Sequence, residues 1–261
     1  MNMTAAVNPL TPSNNENGEK QPVIVIENLY KAFGDNVVLD NFNLTVQKEE
    51  NVVVLGRSGA GKSVLIKCII GLLKPDRGKI LVFGDDVVEL NHENLDRIRT
   101  KVGFLFQSNA LYDSMTVREN LEFSLRRHWI EVTQHDIDQL VQEALENVGL
   151  PQTVDMMPAE LSGGMAKRVA LARTMILKPD IILYDEPTTG LDPVTAREID
   201  KLIVKLQKKY KASSIIISHD MNCVKNTADR VVLLLDGKCY INGTYQELET
   251  SADENIKQFF E

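Results

Sequence analysis

Hydrophobic residues along this chain fall into two textures. Short β-branched or aliphatic runs alternate with segments whose apolar positions recur every three or four residues, as expected for strands interleaved with helices. Val23-Ile24-Val25-Ile26 opens the patterned part, and residues 37–46 alternate through Leu39, Phe42 and Leu44 as a half-buried strand does. Residues 51–55 are almost continuously apolar and run straight into glycines, which predicts a strand buried on both faces. Helical spacing follows over 62–73, a strand over 79–83, a short helix over 95–101 and another buried strand over 102–106. From 116 to 177 the pattern is mainly helical; it is clearest over 136–148 and stops at Gly149-Leu150-Pro151. Strands return at 181–184, 214–218 and 231–235, with a helix over 193–210 between the first two. Asp236-Gly237 has the chemistry of a tight hairpin leading into 238–241. No internal repeat breaks this order. The pattern therefore predicts an α/β sheet core interrupted by a helical insertion and closed by a short C-terminal helix. Residues 1–22 lack hydrophobic periodicity and read as a disordered tail.

Composition narrows the class. With 43% hydrophobic residues in 261, the chain can bury one large core, with or without a subdomain. Its 29 Lys+Arg against 37 Asp+Glu leave a formal charge of −8, which argues against a general nucleic-acid binder. No apolar run reaches the roughly 18–20 residues of a spanning helix, and the longest, 65–73, is broken by Lys67. The polar start carries no apolar signal core, so secretion is not expected. Cys68, Cys223 and Cys239 are odd in number, far apart and without a CxxC pair, which fits reduced cytosolic thiols.

Between the buried strand and the first helix lies Gly56-Arg57-Ser58-Gly59-Ala60-Gly61-Lys62-Ser63, a full match to G-x-x-x-x-G-K-[ST]. The glycines let the backbone wrap a phosphate so that amide N–H groups and a helix N-terminus face its oxygens. Lys62 is then expected to reach the β- and γ-phosphates, and the Ser63 hydroxyl to help hold Mg²⁺. A chance glycine turn rarely comes with both the preceding strand and the following helix. The expected ligand is a nucleoside triphosphate. At the end of the apolar strand Ile181-Ile182-Leu183-Tyr184 stand Asp185 and Glu186. Beside such a loop, Asp185 is expected to hold the metal and Glu186 to orient or deprotonate the attacking water, whereas alone they would read as solvated loop acids.

Leu161-Ser162-Gly163-Gly164-Met165, at the start of a helix, resembles the signature motif of ATP-binding cassette (ABC) ATPases, which usually ends in Gln. Further matches follow from that resemblance. Phe33 matches the aromatic that stacks on adenine, with Tyr30 as a nearby alternative. Gln107 matches the Q-loop glutamine, which the resemblance places at the Mg²⁺ and in catalysis. Gly190-Leu191-Asp192 matches the D-loop, and His219 the switch histidine that contacts the γ-phosphate. His92, His128 and His135 lack such context and read as surface residues. The implied fold is a P-loop NTPase (RecA-like) α/β core sheet with an N-terminal antiparallel β element and an inserted helical subdomain. The implied division is a tail 1–22 and an ATPase domain 23–261, with core segments 23–107 and 178–261 around a helical signature subdomain 108–177.

Met165, continuing Ala166-Lys167-Arg168, is similar to the ATPases of MCE-type lipid transporters, including the bacterial Mla phospholipid system. The stretch 107–114 and the ending Asn255-Ile256-Lys257-Gln258-Phe259-Phe260 resemble the same subgroup. The resemblance implies an ATP- and Mg²⁺-dependent dimer in which Ser162, Gly163, Gly164 and Asp192 of one copy complete the site of the other. It also implies separate permease subunits, an MCE-domain lipid-binding protein, and a peripheral place on the cytoplasmic face of the inner or plasma membrane. Alternatives are a small-solute ABC transporter, a soluble ABC ATPase of repair, translation or cluster assembly, and a P-loop kinase. Repair-type members carry long coiled-coil insertions and translation-type members two cassettes per chain, neither of which is visible here. A kinase would need neither the Ser162 motif nor His219.

Overall fold

A computed structural model describes residues 21–128 and 133–260. In chain order the strands are β1 (Pro22–Phe33), β2 (Asn36–Gln47), β3 (Asn51–Leu55), β4 (Arg77–Val82), β5 (Asp85–Asp86), β6 (Val102–Leu105), β7 (Ile181–Asp185), β8 (Ser213–Ser218), β9 (Arg230–Leu235) and β10 (Lys238–Gly243). The helices are α1 (Lys62–Ile69), α2 (His92–Thr100), α3 (Val117–His128), α4 (Gln134–Asn147), α5 (Gly163–Met175), α6 (Pro193–Tyr210), α7 (Met221–Thr227), α8 (Tyr245–Glu249) and α9 (Glu254–Lys257).

Two sheets form. The first is antiparallel in the order β2-β1-β4-β5, and the second runs β10-β9-β3-β8-β7-β6. In the second, β9, β3, β8, β7 and β6 are mutually parallel, and β10 turns back on β9. Asp236 (φ 48°) and Gly237 (φ 74°) make that turn, both left-handed as a tight two-residue hairpin requires.

The unbroken apolar strands are buried on both faces, and their period of two divides them between two cores. Val52, Val54, Ile181, Leu183, Ile215 and Ile217 face the core roofed by the antiparallel sheet, α1 and α2. Val53, Leu55, Ile182, Tyr184 and Ile216 face the core that α3 to α7 cover. The helical stretch after Gln107 thus packs on the same sheet through Val117, Leu121 and Leu125 of α3 and Val169 to Ala172 of α5.

Several boundaries differ from the sequence pattern. Helix α1 stops at Ile69 because Gly71 takes φ +66°, where a Cβ would lie 2.8 Å from Leu95. Asn91 starts α2 three residues early by accepting the Asn94 N–H. Helix α7 is too short for periodicity to reveal. The expected single C-terminal helix is two, each begun by its own cap, Thr244 and Asp253. Pro22 already belongs to β1 and the Gln21 carbonyl accepts from Lys48 N, so the last two residues of the expected tail are ordered. The rest of that tail, 1–20, lies outside the described residues. His92 and His135 are exposed as expected, while the side chain of His128 lies outside what is described. All three cysteines are unpaired, and burial pushes the Cys68 thiol up to about 11. Among the described residues no helix is long and apolar enough to cross a membrane.

Candidate functional site

Parallel strands put their carboxyl ends on one edge, where α/β proteins place ligand sites. Along that edge, in the order β3-β8-β7-β6, come the 56–63 loop, His219, the Asp185-Glu186 pair and Gln107. Topology therefore gathers residues up to 163 positions apart in the chain, since β3 Asn51 pairs with β8 Ser214.

The loop needs its glycines for space. A Cβ on Gly61 (φ +97°) would fall 2.6 Å from Val38 Cγ1 and 2.9 Å from the Val38 carbonyl, and one on Gly56 would fall 2.9 Å from the Leu234 carbonyl. Gly59 (φ +81°) meets nothing, and Ser58 beside it is exposed. The loop closes on itself through Ala60 N to the Arg57 carbonyl at 3.1 Å. Helix α1 then starts with no side-chain cap and no acid in its first turn, so its leading N–H groups and its dipole favour an anion. Arg57 is exposed, and its guanidinium donates to Gln258 Oε1 near the C-terminal end of the chain.

Lys62 is buried. Its Nζ donates to the Gly56 carbonyl at 2.7 Å and the Arg57 carbonyl at 3.1 Å, and lies 3.4 Å from Glu186 Oε1. Ser63 Oγ donates to Asp185 Oδ1 at 2.9 Å. Burial raises the Asp185 carboxyl above the usual carboxylate range, against the Ser63 hydrogen bond, which lowers it. The donor set suits a hard divalent ion: one hydroxyl, one carboxylate and phosphate oxygens. Among the described residues no three His, Cys, Asp or Glu are placed to hold a metal ion by themselves, so a metal ion here would need those phosphate oxygens.

Glu186 stands at φ +51°, a left-handed conformation that costs a non-glycine residue about 1 kcal/mol or more. Its N–H donates to the Ile217 carbonyl at 3.0 Å, which pins it where β7 meets β8. Oε2 accepts from Thr189 Oγ1 at 3.3 Å and lies 2.8 Å from His219 Nδ1. A carboxylate only accepts, so Nδ1 carries the proton and Nε2 of the half-exposed ring is left for another partner.

Phe33 is half exposed at the end of β1, with Lys31 Nζ 5.3 Å from its ring centre. Arg77 lies 4.2 Å from the ring centre of the alternative, Tyr30, which leaves Phe33 the freer platform. The β2 residue Val38, against Gly61, brings this hairpin to the phosphate loop.

The Ser162 motif lies elsewhere. Ser162 caps α5 by accepting Met165 N–H at 3.2 Å, and Asp192 caps α6 through Val194 N, Thr195 N and Thr195 Oγ1. The Thr195 hydroxyl holds the Asp192 carboxyl below the usual range. The two caps are neighbours, for a Cβ on Gly164 would fall 2.7 Å from Thr195 Cγ2. No hydrogen bond or ion pair among the described residues joins 162–164 to 56–63. Gln107 is exposed; its backbone carbonyl, not its amide, is held, by Lys167 Nζ at 3.0 Å. Sequence reasoning assigned no role to Lys167, Thr189 or Asn120. For Lys167 the readable signal is a charge on the buried face of α5.

A family model described as ABC transporter matches residues 39–189, more than half of the chain. The intermembrane phospholipid transport system ATP-binding protein MlaF of Haemophilus influenzae is 41% identical over 239 residues, which covers 92% of this chain and 90% of that protein. A probable ribonucleotide transport ATP-binding protein, mkl, of Mycobacterium leprae is 39% identical over 236 residues, covering 90% of this chain and 68% of that protein. Among solved structures, the dimeric post-hydrolysis state of the ATP-binding cassette MJ0796 bound to ADP and Pi aligns with a TM-score of 0.77. It is 30% identical and covers 85% of this chain and 98% of that one.

Proposed function

The chain belongs to the ABC transporter family, and from that premise we propose that it is the ATP-hydrolysing subunit of a phospholipid transporter, working as a dimer. The observation that carries the reading is the single-edge grouping of Lys62, Ser63, Asp185, Glu186 and His219. We divide the chain into a nucleotide-binding core, 23–107 with 178–261, and a helical signature unit, 108–177.

In this reading Phe33 stacks on adenine, the 56–61 backbone and Lys62 take the β- and γ-phosphates, and Ser63, Asp185 and Gln107 would hold Mg²⁺. Bound Mg²⁺ would neutralise phosphate charge and fix the γ-phosphoryl group for in-line attack. Entry of the triphosphate draws Lys62 from Glu186 to the phosphates and frees the carboxylate to take the water's proton. Water oxygen bonds to the γ-phosphorus, the bond to the β-phosphate oxygen breaks, and ADP and phosphate leave. His219, oriented by its Nδ1–H to Glu186, turns Nε2 toward the γ-phosphate. That contact requires Nε2 to act as a donor. Ser162, Gly163, Gly164 and Asp192 act on a second copy. Partners beyond that copy are integral-membrane permease subunits and an MCE-domain protein, with this chain peripheral on the cytoplasmic face of the inner or plasma membrane. Phospholipid as cargo rests on the likeness to MlaF and on the Met165 and C-terminal resemblances.

Capture of the tagged full chain from its own membranes in mild detergent, followed by reconstitution of what co-purifies, tests this. The expected result is a co-purifying permease and ATP-dependent movement of labelled phospholipid, lost with Glu186→Gln. ATP-dependent uptake of a labelled ribonucleotide without lipid movement would move the assignment to a solute transporter. Absence of any membrane protein would favour the soluble class.

A further inference from the structure

Lys167 is a charge where the fold offers little reason for one. It sits in the second turn of α5, 2% exposed, among Val169, Ala170 and Leu171. An ammonium has three donors, yet the recorded hydrogen bond of Nζ is one, to the Gln107 carbonyl at 3.0 Å. Burial lowers its affinity for the proton and Asp185 raises it, which places the ammonium within the field of the phosphate site. Gln107 is exposed, so its carbonyl could turn to water instead. Stability alone would be served as well by an apolar side chain of the same length.

The same helix grips the next turn of the loop. Arg173 Nη1 donates to the Ala110 carbonyl at 2.7 Å and Nη2 to the Asn109 carbonyl at 3.2 Å. Asn109 (φ 64°) and Ala110 (φ 51°) are both left-handed without being glycine. Beyond them Asn120, fully buried, ties down Tyr112 N at 2.8 Å and the Met115 carbonyl at 3.0 Å. Three carbonyls of 107–110 therefore point at one helix, and that helix begins at Ser162-Gly163-Gly164.

We propose that Lys167 is a positioning residue for hydrolysis: by holding the Gln107 carbonyl from α5, it sets the angle at which the Gln107 amide enters the phosphate site and ties that angle to the signature loop. This rests on the assignment of Gln107 above. Lys167 itself touches neither nucleotide nor metal. When α5 shifts as the signature loop docks on a second copy, the tether moves the Gln107 backbone with it.

The test is a double-mutant cycle on the full chain with Lys167→Met, Lys167→Arg and Gln107→Ala. Steady-state turnover, ATP affinity, thermal stability and backbone hydrogen exchange are measured. Lys167→Met should melt no lower than the parent and keep ATP affinity within about twofold, while turnover falls about tenfold. Lys167→Arg should restore most of it. In the Gln107→Ala background Lys167→Met should change turnover no further. Exchange over 107–110 should rise about tenfold in Lys167→Met, a readout that needs no hydrolysis. Additive losses with Gln107→Ala, or unchanged exchange over 107–110, overturn the tether. A large drop in melting temperature that Lys167→Arg does not repair would make Lys167 merely structural. A parent chain that binds ATP and never turns it over would instead sink the ATPase reading, and the exchange result would still decide the tether.

Discussion

Two helix starts in this molecule face opposite requirements. Helix α1 opens uncapped behind Gly61, and around it Lys62, Ser63, Asp185, Glu186 and His219 already touch one another within the chain. Helix α5 opens behind Ser162, whose hydroxyl satisfies the helix, with Leu191 and Thr195, at the start of α6, beside its two glycines. In one region the charges are paired inside one chain. The other is an exposed surface that, among the described residues, makes no hydrogen bond or ion pair to the 56–63 loop. On the reading proposed above, half of a site is finished and half waits for a second copy.

Changes in the finished half should be the most damaging. Glu186→Gln keeps the shape and the His219 contact but cannot take a proton, so turnover should fall by about 10²–10⁴ with ATP affinity retained; rapid-quench kinetics alongside equilibrium binding checks both. Lys62→Ala removes the buried ammonium that is to face the phosphates and leaves the Gly56 carbonyl unpaired. Loss of charged hydrogen bonds worth about 1.5–3 kcal/mol should weaken ATP binding roughly ten- to a hundredfold, measured by calorimetry.

The waiting half calls for a different probe. Ser162→Arg confounds two effects, because removing the α5 cap costs about 1 kcal/mol before any second copy is involved. Gly163 is cleaner: it is exposed, has an ordinary φ, and a Cβ there would meet only Leu191 at 4.0 Å. Gly163→Arg should leave melting and ATP affinity nearly unchanged while turnover falls about tenfold or more. Parental turnover would break the contrast between the two regions.

The smallest effect sharpens the comparison from the stability side. Burial holds the Asp185 carboxyl above its ordinary range, so the folded chain binds its proton more tightly than the unfolded chain does. Stability without nucleotide should therefore fall as pH rises from the ordinary aspartate range through the raised value. Asp185→Asn carries no such proton and should melt higher than the parent at neutral pH. Calorimetric scans of both chains across that window read the difference, and equal pH dependence would contradict it.

Much of this was legible in the sequence because it is local. The 51–63 run fixed strand, turn and helix together, since the glycines, the apolar strand and Lys62 are consecutive. Asp236-Gly237 likewise needs no tertiary contact to be read as a turn. What escaped depends on contacts between distant segments. Glu186 in its left-handed conformation is held by Ile217, and the grip of α5 on Gln107 and Ala110 spans some sixty positions. The early end of α1 likewise depends on Leu95 crowding Gly71. The capping role of Ser162 is legible too, because a serine directly before a helix is a ready N-cap, and it does accept the Met165 N–H.

The most direct test of the composite site is the mass of Glu186→Gln in solution as ATP and Mg²⁺ are titrated, with Glu186→Gln/Gly163→Arg beside it. The account predicts that the first passes from one copy to two at saturating ATP, and that the second stays single although it binds ATP with the same affinity. A Glu186→Gln chain that remains single at saturating ATP, alone and with its membrane partner, or a double variant that pairs as readily, would contradict it.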